Sequence, residues 1–168
     1  MKKGWHAMRR KAPYIMLLLG IWIIVIMFIA GGIYTNEEVF YPKDPSKVYN
    51  FTVFQALFGK SLVYDGVSKT FFKFNPIGIL ILPLIVVGLI LPTFNRIYYR
   101  IRHLLSGSFL LVAGALIYML PATARIGQGF EDPLNVTVTS GAPLIIAGIF
   151  TFLFGLINII IAIVREKN

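Results

Sequence analysis

The residues of this chain that could carry out chemistry are few and scattered. His6 and His103 lie beside basic residues, with no carboxylate or second metal-type ligand near them in the sequence, which favours a solvated surface role over metal binding or acid–base work. The chain has no cysteine, which excludes disulfides and thiolate metal sites. Motifs for a phosphate loop, a nucleophile elbow, a zinc protease and a dinucleotide site are missing. We therefore predict no enzymatic activity and no cofactor.

Two pairs of adjacent carboxylates, Glu37-Glu38 and Glu131-Asp132, are the other ionisable groups of interest. Adjacent carboxylates can share a cation or a proton, although most such pairs are simply solvated. The second pair follows Arg125 in a short, glycine-containing polar segment. Arg125, Glu131 and Asp132 are therefore the first candidates for a specific contact in that segment.

Four uncharged apolar stretches dominate the composition, which is 57% hydrophobic and only 14% charged, whereas a soluble domain carries about 25% charged residues. They cover residues 14–34, 76–94, 104–122 and 142–164. About 20 helical residues cross a hydrocarbon core of about 30 Å, and the continuous rather than alternating runs favour helices over a β-barrel. The sequence thus predicts an all-α integral membrane protein, with residues 1–168 forming one domain built on a four-transmembrane-helix bundle.

Lys and Arg are unequally distributed among the segments that flank these stretches. Residues 1–13, 95–103 and 165–168 carry ten Lys or Arg and one acid, whereas 35–75 and 123–141 carry six of each sign. The positive-inside rule places the first set in the cytoplasm and makes the second set two outer loops. The first stretch is then an uncleaved signal anchor, because it is longer than the core of a signal peptide. We expect a multi-pass protein of the plasma membrane, whose excess positive charge reflects topology and anionic lipid rather than nucleic acid.

Both outer loops carry signals of local structure. Residues 50–59 predict a short apolar helix that is capped by Asn50 and ended by Gly59. Residues 61–72 predict a hairpin around Asp65-Gly66, 135–139 predict a strand, and 38–41 are a further strand candidate. Because a lone hairpin is marginal in water, we expect these strands to form one small extracytoplasmic antiparallel β-sheet drawn from both loops.

This layout resembles that of the claudin and peripheral-myelin-protein group of tetraspan proteins. Those proteins have four spans, inward termini, a large first and a small second outer loop, and an extracellular sheet drawn from both. The likeness covers most of the chain as topology. The group's signature in the first loop, a Trp followed by Gly-Leu-Trp and two cysteines, is absent, since Trp5 and Trp22 precede that loop and the chain has no cysteine. The resemblance therefore implies a fold, and no functional residue is taken from it.

The fourth stretch carries a pattern of small residues. Ala147, Thr151 and Gly155 recur every four residues, which lets another helix approach closely, and Asn158 follows as the one strongly polar side chain deep in a stretch. The stripe serves either packing within the bundle or docking of a partner, and Asn158 favours an interhelical hydrogen bond over a substrate contact. A shallower groove on the third stretch is formed by Gly107, Gly114 and Tyr118.

These features favour a non-catalytic membrane scaffold or accessory subunit. It would contact the lipid bilayer, pack beside another integral membrane protein or a second copy of itself, and present its outer sheet. The alternative is a subunit of a transport or channel assembly whose pathway is oligomeric or supplied by another chain. An autonomous transporter is disfavoured, because none of the four stretches contains an ionisable residue.

Overall fold

A computed structural model describes residues 2–35, 49–64, 67–94, 96–124 and 138–164. In chain order the elements are α1 (Lys2–Ile29), β1 (Gly31–Thr35), β2 (Tyr49–Thr52), α2 (Val53–Phe58), β3 (Lys60–Tyr64), β4 (Val67–Phe72), a 3-10 turn (Gly78–Leu80), α3 (Ile81–Ile90), a second 3-10 turn (Leu91–Thr93), α4 (Tyr99–Thr123), β5 (Val138–Ser140) and α5 (Ala142–Ile163).

Three of the helices are long and apolar enough to cross a membrane, which confirms the membrane character of the chain. They are Lys11–Ile29 of α1, Tyr99–Thr123 and Ala142–Ile163. The predicted stretch 76–94 corresponds to the shorter apolar segment Gly78–Thr93, in which α3 lies between the two 3-10 turns. The hydroxyl of Ser106 in α4 donates to the carbonyl of Gly88 in α3, so this segment packs against a long helix.

The predicted end of the first stretch, residue 34, is wrong. α1 ends at Ile29, and residues 31–34 belong to β1. Two glycines at this point weaken the helix, and a Cβ at Gly31 would overlap the amide group of Asn50 in the neighbouring strand. The Asn50 side chain thus lies directly against Gly31, and pairing with β2 and β5 makes a strand of an apolar sequence that is long enough to continue the helix.

The strands form two antiparallel sheets instead of the single sheet that we predicted. β1 lies between β2 and β5, so residues that precede α2 and residues that precede α5 share one sheet. β3 and β4 form a separate hairpin in which Tyr64 pairs with Val67, and the two residues between them, Asp65 and Gly66, lie outside the described residues. The candidate strand 38–41 and residues 135–137 of the other predicted strand also lie outside them.

The short helix α2 is present, but its predicted cap is wrong. Asn50 pairs with Tyr34 within the sheet, and Thr52 caps the helix. The Thr52 hydroxyl accepts from the Gln55 amide at 3.3 Å, and the Gln55 side chain accepts from the Thr52 amide at 3.1 Å, which is a capping box. Gly59 ends the helix as predicted, with a φ of 97° that favours glycine.

The helix ends gather at two levels, which we name the sheet end and the basic end. At the sheet end the Gly141 amide donates to the Gly32 carbonyl at 2.7 Å, and the buried Asn75 side chain donates to the Thr123 carbonyl at 3.1 Å. At the basic end the Arg100 guanidinium donates to the Ala162 carbonyl at 3.2 Å. The described residues that flank the two sets of loops therefore lie at opposite ends of the helices.

Candidate functional site

The contact between α4 and α5, which we call the seam, is the most extensive contact between two helices in the described structure. Gly107 and Gly155 bring the two backbones together. A Cβ at Gly155 would lie 3.0 Å from the Gly107 carbonyl oxygen and 2.9 Å from the Leu111 backbone nitrogen, and a Cβ at Gly107 would lie 2.8 Å from the Gly155 carbonyl oxygen. Backbone atoms cannot rotate away, so neither position accepts a side chain without moving a helix.

A second pair of glycines repeats this arrangement two turns along the seam. A Cβ at Gly114 would lie 3.1 Å from the Phe152 nitrogen and 3.3 Å from the Gly148 carbonyl oxygen. Gly107 and Gly114 are seven residues apart, as are Gly148 and Gly155, so the pairs match when the helices run antiparallel. Our sequence interpretation did not single out Gly148, although its matching spacing to Gly155 was the available signal.

The predicted stripe residues are all buried, but they do not share one face. Gly155 lies against α4, whereas Ala147 lines a small cavity of about 150 Å³ between α1 and α5. Eight helical residues turn by about 80°, which explains why the two ends of the stripe face different neighbours. The Thr151 hydroxyl donates to the Ala147 carbonyl of its own helix at 2.7 Å.

A buried polar cluster continues the seam at the basic end, and it corrects our prediction that His103 is solvated. His103 and Asn158 are each only 1% exposed, and the His103 Nδ1 lies 2.8 Å from the Asn158 Oδ1. The charge count had assigned residue 103 to a cytoplasmic connection, but α4 begins at Tyr99 and places His103 in its second turn. Its helical spacing to the buried Gly107 and Leu110 was the signal that could have revealed its burial.

The contacts of Asn158 define which ring nitrogen of His103 carries a proton. The Asn158 Nδ2 donates to the Phe154 carbonyl at 3.0 Å, and because a carbonyl only accepts, this bond fixes the amide orientation. The Oδ1 therefore faces His103, whose Nδ1 must donate. The same Nδ2 lies 4.0 Å from the sulfur of Met16, so the predicted interhelical hydrogen bond exists and the cluster joins α1, α4 and α5.

An apolar groove of about 420 Å³ lies on the outer side of the seam, towards the sheet end. It opens between the exposed side chains of Tyr118 on α4 and Ile145 and Ile149 on α5, which are 79%, 44% and 54% exposed. Its volume falls within the range of ligand pockets in proteins. The groove is lined by Gly114, Ala115, Ile117, Tyr118, Ser140, Leu144, Ile145, Gly148, Ile149, Phe152 and Leu153.

The other candidate contact residues, Arg125, Glu131 and Asp132, lie outside the described residues. Comparisons of this chain with protein-family models, with curated proteins and with solved structures find no match. The resemblance to claudin-like proteins thus stays a prediction from topology, and any function has to be argued from the seam, the polar cluster and the groove.

Proposed function

We propose that the chain crosses the plasma membrane four times, with its two ends in the cytoplasm and the sheet end outside. The segment Gly78–Thr93 supports a fourth crossing despite its few residues. It contains ten α-helical residues and two 3-10 turns of three residues each. Because the rise is 2.0 Å per residue in a 3-10 helix and 1.5 Å in an α-helix, this segment is about 27 Å long, close to the thickness of the hydrocarbon core.

Single cysteines test this orientation without background, since the chain has none. Thr70 lies at the sheet end in β4 and Tyr98 precedes α4 at the basic end, and both are exposed. We expect Thr70→Cys to react with a membrane-impermeant maleimide in intact cells, and Tyr98→Cys to react only after permeabilisation. The reverse labelling pattern would show that the sheet end faces the cytoplasm.

Within this topology, the chain acts as a non-catalytic accessory subunit that packs beside a partner membrane protein. The observation that carries this proposal is the apolar groove along the seam. The seam glycines have no side chains to fill the floor of the groove, and the exposed side chains of Tyr118 and Ile149 form its two edges. Helices associate in membranes through such shape-complementary packing, because lipid supplies no hydrophobic force between them. The groove is accordingly suited to a row of side chains from a partner's transmembrane helix.

The position of Leu153, which lines the groove and is 44% exposed, allows a direct test. A photo-crosslinking amino acid placed there in cell membranes should yield a discrete protein adduct. Ala115→Phe should abolish the adduct, because Ala115 lines the groove and its replacement fills it. Val112→Phe is the matched control, since Val112 is 50% exposed on the same helix outside the groove lining, and it should leave the adduct unchanged.

The mass and the chemical nature of the cross-linked product show which molecule occupies the groove. A product of twice the chain mass would identify the partner as a second copy, and a larger discrete product would identify a different protein. Lipid adducts alone would show that the groove simply meets the bilayer and would refute a docking role. An adduct that persists in Ala115→Phe would place the partner elsewhere on α5.

A subunit of a transport or channel assembly is the second candidate, and His103 favours it. It is an ionisable residue buried within a helix that is long and apolar enough to span a membrane, the feature whose apparent absence counted against an autonomous transporter. If this role is right, His103→Gln should lower the flux through the purified assembly while leaving its composition unchanged. Equal flux in the variant would restrict His103 to holding the helices together.

A further inference from the structure

We propose that α2 and the base of the β3–β4 hairpin form an interfacial anchor that binds phospholipid at the sheet end. The helix α2 has two unlike faces. Val53, Ala56 and Leu57 are buried, whereas Phe54 and Phe58 are 44% and 40% exposed. The two phenyl rings are neighbours, with their centroids 4.5 Å apart. Large aromatic side chains on the outward face of a short capped helix are typical of a segment lying in the membrane interface.

The exposed rings of α2 continue the apolar surface of α1. The centroid of the Phe54 ring lies 5.4 Å from that of Phe28, which belongs to the membrane-spanning part of α1. The next residue, Ile29, is 76% exposed at the very end of that helix. A side chain at this position faces the hydrocarbon of the bilayer, so the adjacent face of α2 lies at the depth where the hydrocarbon ends.

A backbone hydrogen bond also links α2 to the segment that contains α3. The backbone N–H of Asn75 donates to the backbone carbonyl of Leu57 at 2.9 Å, which links the end of α2 to the start of the segment Gly78–Thr93. Three apolar side chains near that start are about half exposed, at 52% for Phe74, 47% for Ile77 and 52% for Leu80. α2 is therefore linked to both apolar segments, and we call its two phenyl rings together with these three side chains the apolar belt.

Two lysines lie next to the residues of this belt in the sequence, and we place their ammonium groups at the level of the phospholipid phosphates. Lys60 follows Gly59 directly after α2, and Lys73 precedes Phe74. The β3–β4 pairing places them at the same end of the hairpin, because Lys60 pairs with Phe72. Residues 49–64 and 67–80 contain no Asp or Glu, so the described part of this loop offers these ammonium groups no carboxylate. Lysine stems beside apolar surface carry their charge to the headgroup level.

Rigid packing beneath the surface keeps these groups in place. Phe51, Phe71 and Phe72 form a buried aromatic cluster, in which the Phe51 and Phe71 rings are stacked at 4.7 Å and Phe72 meets each of them edge to face. The cluster joins β2 to β4, and α2 follows β2 directly. The three-stranded sheet, the hairpin and α2 are therefore packed together as one unit at the sheet end. The anchor consequently fixes the position of the hairpin relative to the bilayer.

Spin labels at two nearby positions test the apolar part of the anchor. In two variants, Phe58→Cys on α2 and Ser61→Cys on β3, the single cysteine carries a nitroxide label. Both positions are exposed, and each labelled protein is reconstituted in phosphatidylcholine bilayers. We expect the label at residue 58 to collide with oxygen and to be shielded from a water-soluble nickel chelate, and the label at residue 61 to show the reverse. If the label at residue 58 is as accessible to the chelate as the label at residue 61, α2 faces water and the proposal is wrong.

The lysines are tested by titrating the detergent-solubilised protein with phosphatidylglycerol and counting bound lipids by native mass spectrometry. A basic residue near an anionic membrane surface contributes about 1 kcal/mol, so Lys60→Gln combined with Lys73→Gln should weaken binding about 30-fold. Lys69→Gln, in the same hairpin but away from its base, is the matched control and should retain native binding. Equal binding by the double variant and the control would overturn the phosphate contact. None of these positions lines the groove on the seam, so this experiment does not test the docking role of the groove.

Discussion

The seam between α4 and α5 and the contacts made by α1 hold helices together in different ways. At the seam, glycines on both helices bring backbone atoms into contact, and Gly155 leaves no room for even a methyl group. α1 instead meets its neighbours through flexible side chains. The atoms nearest to a Cβ at Gly20 would all belong to the side chain of Leu89, and a cavity of about 150 Å³ remains between α1 and α5. Trp22 of α1, beside that cavity, is 66% exposed.

This difference matters because lipid is as apolar as the side chains that pack. The stability of a helix pair in a membrane then comes from van der Waals contact and interhelical hydrogen bonds. A backbone contact fixes the distance and the register of two helices, whereas a contact through leucine and methionine tips tolerates small movements. We infer that α4 and α5 form a rigid pair and that α1 is the helix whose position adjusts most easily.

The largest effect is expected from Gly155→Leu. The new side chain would collide with the Leu111 and Gly107 backbones and force the seam apart, at a cost of about 3 kcal/mol, the upper end for overpacking of a filled core. Thermal unfolding in detergent should show a lower midpoint and a smaller monomer fraction. Ala142→Leu, which adds similar bulk at an exposed position in the first turn of α5, is the control. Retained monomer stability with loss of a partner would instead assign this face to docking.

The polar cluster tests how much the hydrogen bond between His103 and Asn158 adds to the seam. Asn158→Leu should cost about 1 kcal/mol, less than Gly155→Leu, because it removes one interhelical hydrogen bond. His103→Leu should cost about the same, since it leaves the Asn158 oxygen buried without its donor. In a double-mutant cycle followed by thermal unfolding, the double variant should lose little more than either single variant. Additive losses would mean that the 2.8 Å contact contributes nothing to stability.

The sequence was sufficient to predict the features that depend on local composition. About 20 uncharged apolar residues require burial in lipid wherever they lie, and the three long helices cover most of three of those stretches. The hairpin around Asp65-Gly66 is likewise a local preference, and the flanking strands pair as expected. The cap of α2 could also be predicted, since Thr52 and Gln55 have the spacing of a capping box. The prediction of Asn50 as the cap fails because Asn50 pairs with Tyr34 in a strand.

Other features depend on which segment meets which, and composition does not determine that. Residues 31–34 are as apolar as a helix end, and their pairing with both β2 and β5 explains why they form a strand. The burial of His103 depends on where α4 begins and on how it is rotated towards α5. The groove requires Gly114 and Gly148 to lie opposite each other on different helices. The four-residue stripe identified the right helix but not the single face that we expected.

The smallest effect is expected from Gly20→Ala, and it is the sharpest test of the comparison. A methyl group at Gly20 would overlap the tip of Leu89, whose side chain can move to another rotamer at a cost of about 1 kcal/mol. Alanine is favoured over glycine within a helix by about 1 kcal/mol, so the two terms nearly cancel and the unfolding midpoint should hardly change. Gly155→Ala gains the same helix preference, but its methyl group meets backbone atoms at 2.9 and 3.0 Å that have no rotamer to change. It should therefore lower the midpoint clearly, by an amount between those of Gly155→Leu and Asn158→Leu. If Gly20→Ala is as destabilising as Gly155→Ala in the same detergent, α1 is held as rigidly as the seam, and the distinction between the two regions fails.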